Sequence, residues 1–207
     1  MSLRAYFLES AKLLELAGAA WGDELLSGAI SGVTGALGTG KPLLVCGNGG
    51  SASDAEHITG ELVGRFLLKR RALKAICLSS NPAVLTAWAN DHSYDTVFSR
   101  QVEAYGEPGA VILGISTSGN SRNVIEAFRT ARDTGMITIA LTGESGGQLA
   151  AWSDYLFAVP SKSTPLIQQV HICLYHYLCE AIERRIADGG SDAAEVPAVD
   201  GSAASRS

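Results

Sequence analysis

The sequence predicts an α/β fold: a doubly wound, flavodoxin-like sheet of five parallel strands with helices on both faces, preceded by two N-terminal helices. Three observations carry this. Short apolar runs alternate with helical periodicity from residue 43 onward, as βαβ units require. The runs are continuous rather than alternating, as in strands buried on both faces. Three of them end in turns of small polar residues, GNGGS at 47–51, STSGNS at 116–121 and TGESGG at 142–147. In doubly wound sheets, ligands bind beyond the C-terminal ends of the strands.

The elements follow in order. Residues 3–18 read as an amphipathic helix with Phe7, Leu8, Ala11 and Leu14 on one side. A second helix starts after Asp23, a plausible N-cap, and carries Leu26, Ile30, Val33 and Leu37. GTGKP at 38–42 breaks the chain. Strands are expected at 43–46, 73–78, 110–115, 137–141 and 155–159. Helices are expected from Ser51, at 83–89, at 96–105, at 122–134, briefly after TGESGG, and from Pro165 to about Ala187. The last has a stripe of Ile167, Val170, Leu174, Leu178 and Ile182. Residues 1–187 read as one domain, and the small polar stretch 188–207 as a disordered tail.

Composition narrows the function classes. Of 207 residues, 46% are hydrophobic and 18% charged, enough for a sizeable core. The net charge of −5, without a basic patch, argues against nucleic acid as partner. No apolar run approaches the ~20 residues that span a bilayer, and the N-terminus lacks a secretory h-region. Cys46, Cys77, Cys173 and Cys179 form no CxxC pair and read as small buried hydrophobes in a reducing compartment. A cytoplasmic protein is expected.

The turns suggest an anionic ligand. In 116–121 a strand leads into a helix whose first N–H groups lack intrahelical partners, and the helix dipole favours an anion there. Ser116, Thr117, Ser118 and Ser121 add hydroxyls, and Gly119 permits close approach. The same residues also make an ordinary capped loop; the second turn tips the balance. There Asn48, Gly49, Gly50 and Ser51 offer donors for a sugar. His57 and Glu61, spaced i, i+4, share one helix face and suit a metal or a proton-transfer pair. Gln168, His171 and His176 lie on the final helix; spacing does not choose between the two histidines. Asn90 and Asp91 fall in a polar break between helices, where they suit either sugar hydroxyls or a turn, with His92 beside them in solvent.

Four motifs resemble one family: CGNGGSASDAEHITGELVGRF, WANDHSYDTVFSRQVEAYG, GISTSGNSRNVIEAF and PLIQQVHICLYH. Residues from about 40 to 185 resemble the sugar isomerase (SIS) domain, and among its members the bacterial phosphoheptose isomerases. The resemblance implies an aldose–ketose isomerase that converts sedoheptulose 7-phosphate to D-glycero-D-manno-heptose 7-phosphate through an enediol, for heptose and glycan-precursor biosynthesis. It implies substrate contacts at Asn48, Gly49, Gly50, Asn90 and Asp91, and phosphate contacts at Ser116, Thr117, Ser118 and Ser121. Zinc would be held by His57, Glu61, Gln168 and His176, with Glu61 and His176 the catalytic pair and Gln168 also touching substrate. It therefore selects His176 over His171.

The sequence departs from the family at Leu166 and Gln169, where a basic residue and a glutamate are common, and lacks an aspartate near Thr164–Pro165. Gln168 and His176, eight apart, are separated by about 12 Å of rise in one helix. Either Gln168 precedes the regular helix or a neighbouring subunit completes the site; the family implies a homotetramer with shared sites. Competing readings are a non-enzymatic SIS protein that binds the replication initiator, a sugar-phosphate sensor, and an isomerase of another sugar phosphate. Retention of Glu61 and His176 favours an enzyme over the first, and the chain leaves no room for the DNA-binding domain that usually accompanies the second.

Overall fold

A computed structural model describes residues 2–189. Two helices come first, α1 (Leu3–Ala20) and α2 (Asp23–Gly38). The alternation then runs β1 (Leu43–Gly47), α3 (Gly50–Val63), β2 (Ala75–Cys77), α4 (Pro82–Asp91), α5 (Ser99–Tyr105) and β3 (Val111–Ser116). It ends with α6 (Arg122–Asp133), β4 (Ile137–Thr142), β5 (Tyr155–Ala158) and α7 (Thr164–Gly189). Short 3-10 turns cover Tyr94–Thr96 and Gly147–Trp152.

All five strands pair in parallel, in the order β2-β1-β3-β4-β5. From β1 the chain crosses to β2 on one side, while β3 pairs on the other. The winding therefore reverses between β1 and β3, and the crevice beyond their C-terminal ends is where such sheets take ligands. In-register pairing from Leu43↔Val111 to Gly47↔Ile115 brings turns 47–51 and 116–121 side by side.

Alternate strand residues face opposite layers. Leu43, Val45, Leu113 and Ile115 pack under α2, α3 and α7. Leu44, Cys46 and Ile112 pack under α5 and α6. The α7 stripe of Ile167, Val170, Leu174, Leu178 and Ile182 is buried as its spacing predicts. Leu13 and Ala17 of α1 meet Leu166, Ile167 and Val170 of α7.

Several expectations change. On α1 the buried side is Leu13 and Ala17, whereas Phe7 and Leu8 are more than 60% exposed. Periodicity finds an apolar face but not what covers it. Gly22, rather than Asp23, caps α2; Asp23 is the first helical residue and favours the helix dipole. The second strand keeps only three residues, because it is an edge strand paired to β1 alone. Cys46 and Cys179 are buried, but Cys77 is half-buried and Cys173 on α7 is exposed. Of the expected tail, residues 188 and 189 continue α7; the rest lies outside the described residues. Among the described residues no helix is long and apolar enough to cross a membrane.

Candidate active site

Turns 47–51 and 116–121 are built differently. Turn 47–51 leaves β1 at Gly47 and enters α3 through Gly49, whose φ of +56° most side chains disfavour. Gly50 faces the Gln168 amide, and a side chain at 50 would run into it. Asn48 is half-buried, Gly49 and Gly50 are exposed, and Ser51 is buried in the first turn of α3.

In turn 116–121, Ser116 is buried at the end of β3 and its Oγ lies 2.9 Å from Ser121 Oγ. Ser121 is the N-cap of α6 but makes no side-chain capping bond. The helix entrance is thus left to an incoming acceptor, which suits an anion. Thr117 is half-buried, and Ser118 is exposed with its Oγ accepting from Asn120 N at 3.1 Å.

The third small-residue turn serves as a buttress. Gly143 N donates to Thr117 O at 3.0 Å, Leu149 N to Gly119 O at 2.9 Å, and Gln148 N to Asn120 Oδ1 at 3.1 Å. The close approach of Gly119 to Gly146 and Gly147 excludes a Cβ at 119, where φ is +64°.

Helices α3 and α7 lie side by side in the same direction, and between them the titratable groups meet. His57, Glu61 and His176 each present a ligand atom within 4.8 Å of the others. His57 Nε2 lies 3.1 Å from Glu61 Oε1 and 3.5 Å from His176 Nε2. Donors bonded at about 2.1 Å to one tetrahedral ion stand about 3.4 Å apart, so these separations fit a zinc-sized cation. The Phe66 ring stacks on His176 at 5.6 Å.

The two histidines of α7 separate cleanly. His171 is fully buried and donates from Nε2 to Thr142 O at 3.1 Å, anchoring α7 to the end of β4. Burial pushes its pKa down to about 4, partly offset by the Thr142 carbonyl. It is a structural histidine.

Gln168 lies within regular α7, which rules out the idea that it precedes the helix. It stands at Gly50, two turns from His176, so one chain gathers three of the four expected ligands. The departures at 166 and 169 serve the docking of α1. Leu166 is buried against it, and Gln169 Nε2 donates to Tyr6 Oη at 2.9 Å. Asn90 and Asp91 form the last turn of α4 rather than a break, exposed and hydrogen-bonded to each other at 2.9 Å. His92 is exposed and stacks on Trp88.

Four residues around the site escaped the sequence reading. Asn123 and Tyr94 hold Asn48 through its amide. Tyr175 and Asp54 stand behind His57. Asp54 lies three residues before His57 on one face of α3, a spacing that was readable. Burial pushes the Asp54 carboxyl up, against opposing effects of Tyr175 and His57; burial also pushes the Tyr175 phenol up, so that it keeps its proton.

The SIS domain pattern matches residues 5–143. The phosphoheptose isomerase of Crocosphaera subtropica is 52% identical over 147 residues, which is 71% of this chain and 75% of the relative. The structure of phosphoheptose isomerase from Neisseria gonorrhoeae aligns over 88% of this chain and 97% of its own, with TM-score 0.82 and 41% identity. That of a phosphoheptose isomerase from Francisella tularensis aligns over 88% and 96%, with TM-score 0.84 and 34% identity. The chain belongs to the SIS domain family. Within it, the chain falls among the phosphoheptose isomerases.

Proposed function

We propose that this chain is an aldose–ketose isomerase that converts sedoheptulose 7-phosphate to D-glycero-D-manno-heptose 7-phosphate, for bacterial heptose biosynthesis. One observation carries the reading. Glu61 and His176 meet on adjacent helices, within 4.8 Å together with His57, in a chain about half identical to phosphoheptose isomerases.

The substrate phosphate sits at the α6 entrance, held by Ser116, Thr117, Ser118 and Ser121. Asn48, Gly49, Gly50, Ser51 and Gln168 contact the sugar, with Asn90 and Asp91 from α4. Fixing the far end of the substrate places C1 and C2 at the carboxylate. Glu61 takes a proton from C1 and returns it to C2, and His176 moves protons between the two oxygens, through a cis-enediol. Glu61 Oε1 faces His57, which leaves Oε2 for the carbon proton.

His57, Glu61 and His176 would hold zinc. When bound, the ion supplies Lewis acidity toward the developing negative charge on oxygen. Gln168 from a second copy of the chain completes the ligand set in a homotetramer with shared sites. Leu3, Phe7 and Leu8 on α1, all more than 60% exposed, are apolar surface of the kind that subunit contact covers. The enzyme works in the cytoplasm.

The test is turnover of sedoheptulose 7-phosphate, against pentose and hexose phosphates, with and without added zinc. The heptose phosphate is the preferred substrate and zinc raises the rate. No turnover under any metal condition refutes the enzyme reading. A monomer with full activity refutes the shared site.

A further inference from the structure

Tyr175 is among the largest fully buried side chains, yet its hydroxyl is not spent on packing. It lies 3.0 Å from His57 Nδ1 and 3.4 Å from Asp54 Oδ1. Asp54 is only 8% exposed, and its other oxygen, Oδ2, is buried without a hydrogen-bond partner. A carboxylate, a phenol and an imidazole therefore stand in sequence. They approach His57 from the side opposite Nε2, the nitrogen that faces Glu61 and His176.

A phenol has one proton to donate. The buried carboxylate is short of donors and is the acceptor that gains most from it. With that proton given to Asp54, the phenol oxygen accepts from His57, which puts the imidazole proton on Nδ1. The lone pair then lies on Nε2. A ligating histidine needs this state, and the hydrogen bond at its other nitrogen sets it. In the opposite tautomer, Nε2–H would donate to Glu61 Oε1 and close the site.

We propose that Tyr175, backed by Asp54, is a positioning residue that holds His57 in its Nδ1–H tautomer and aims Nε2 at the cation site shared with Glu61 and His176. This rests on reading that trio as a zinc site. Phenylalanine would fill the same core volume, so packing alone does not call for the hydroxyl.

Tyr175→Phe keeps the ring and removes the oxygen. Zinc affinity of the full chain, measured by competition with a chromophoric chelator, is expected to fall at least tenfold. The visible absorption of the cobalt-substituted protein is expected to shift. Asp54→Asn, which replaces the acceptor pair with an amide, is expected to change both readouts in the same direction. It also keeps the test alive if Tyr175→Phe folds poorly, with thermal unfolding of the zinc-free proteins reporting the fold. Wild-type affinity and an unchanged cobalt spectrum in folded Tyr175→Phe overturn the inference and leave the zinc reading standing. Failure of the wild-type chain to bind zinc more tightly than His57→Ala overturns both.

Discussion

Asn48 and Asn123 exchange two side-chain hydrogen bonds, 2.9 and 2.8 Å, across the C-terminal ends of β1 and β3. Asn123 is buried in the first turn of α6, and Tyr94 Oη adds a third bond to Asn48 Oδ1 at 2.9 Å. Turns 47–51 and 116–121 are thus clamped to each other at the point where the sheet reverses its winding. If the two turns hold the sugar and the phosphate as proposed, this amide pair fixes the spacing between them. Asn123→Ala leaves the Asn48 amide short of partners and is expected to cost about 1–3 kcal/mol of stability. Thermal unfolding measures that cost. Steady-state kinetics should show a raised KM for the sugar phosphate, because Asn48 loses its fixed orientation.

A second clamp lies behind His176. Glu183 is fully buried and accepts from Phe66 N at 3.0 Å, Leu67 N at 2.6 Å and Leu68 N at 2.8 Å. Its carboxylate also stands 3.1 Å from Arg70 Nε. Burial pushes the carboxyl up, but these N–H donors and the Arg70 guanidinium outweigh it, and the group titrates below its ordinary range. Glu183→Ala strands a buried cation and three backbone donors. The expected loss is about 3–5 kcal/mol in denaturant unfolding. Activity should fall with it, since the same segment carries Phe66 over His176.

His171 predicts a pH dependence. Its folded pKa is about 4, against 6.5 when unfolded. Between those values the unfolded chain binds more protons than the folded one. Stability contributed by neutral His171 is therefore complete above pH 6.5 and lost as pH falls toward 4, by about 3 kcal/mol at the lower limit. Asp54, raised by burial, acts in the opposite sense. The informative quantity is the difference between wild type and His171→Gln, whose amide can still donate to Thr142 O. Thermal unfolding from pH 7 to 4 should fall less steeply in the variant.

What was legible in the sequence was local and periodic. Strand runs such as 110–115 and the α7 stripe are buried patterns that no partner has to explain. His57 and Glu61 were readable because i, i+4 spacing fixes a shared face, and their ligand atoms do meet. Partners distant in sequence were not. Asn123 looks like an ordinary helix-start residue, and its role depends on Asn48, 75 positions away. Tyr175 is adjacent to the His176 that the family resemblance selects, but its hydroxyl finds a use only against α3. Asn90 and Asp91 are residue types that favour turns and suit a polar break, while the structure continues α4 through both. On α1, Phe7 and Leu8 marked a real apolar face, but one that α7 does not cover.

In the proposed reaction Glu61 moves the carbon proton at a site whose binding turns are independent of it. Glu61→Gln tests this most directly, by comparing turnover of sedoheptulose 7-phosphate with calorimetric binding of the same sugar phosphate. Turnover is expected to fall about 100-fold or more, with binding retained because the α6 entrance is untouched. A Glu61→Gln enzyme that turns over at the wild-type rate contradicts it.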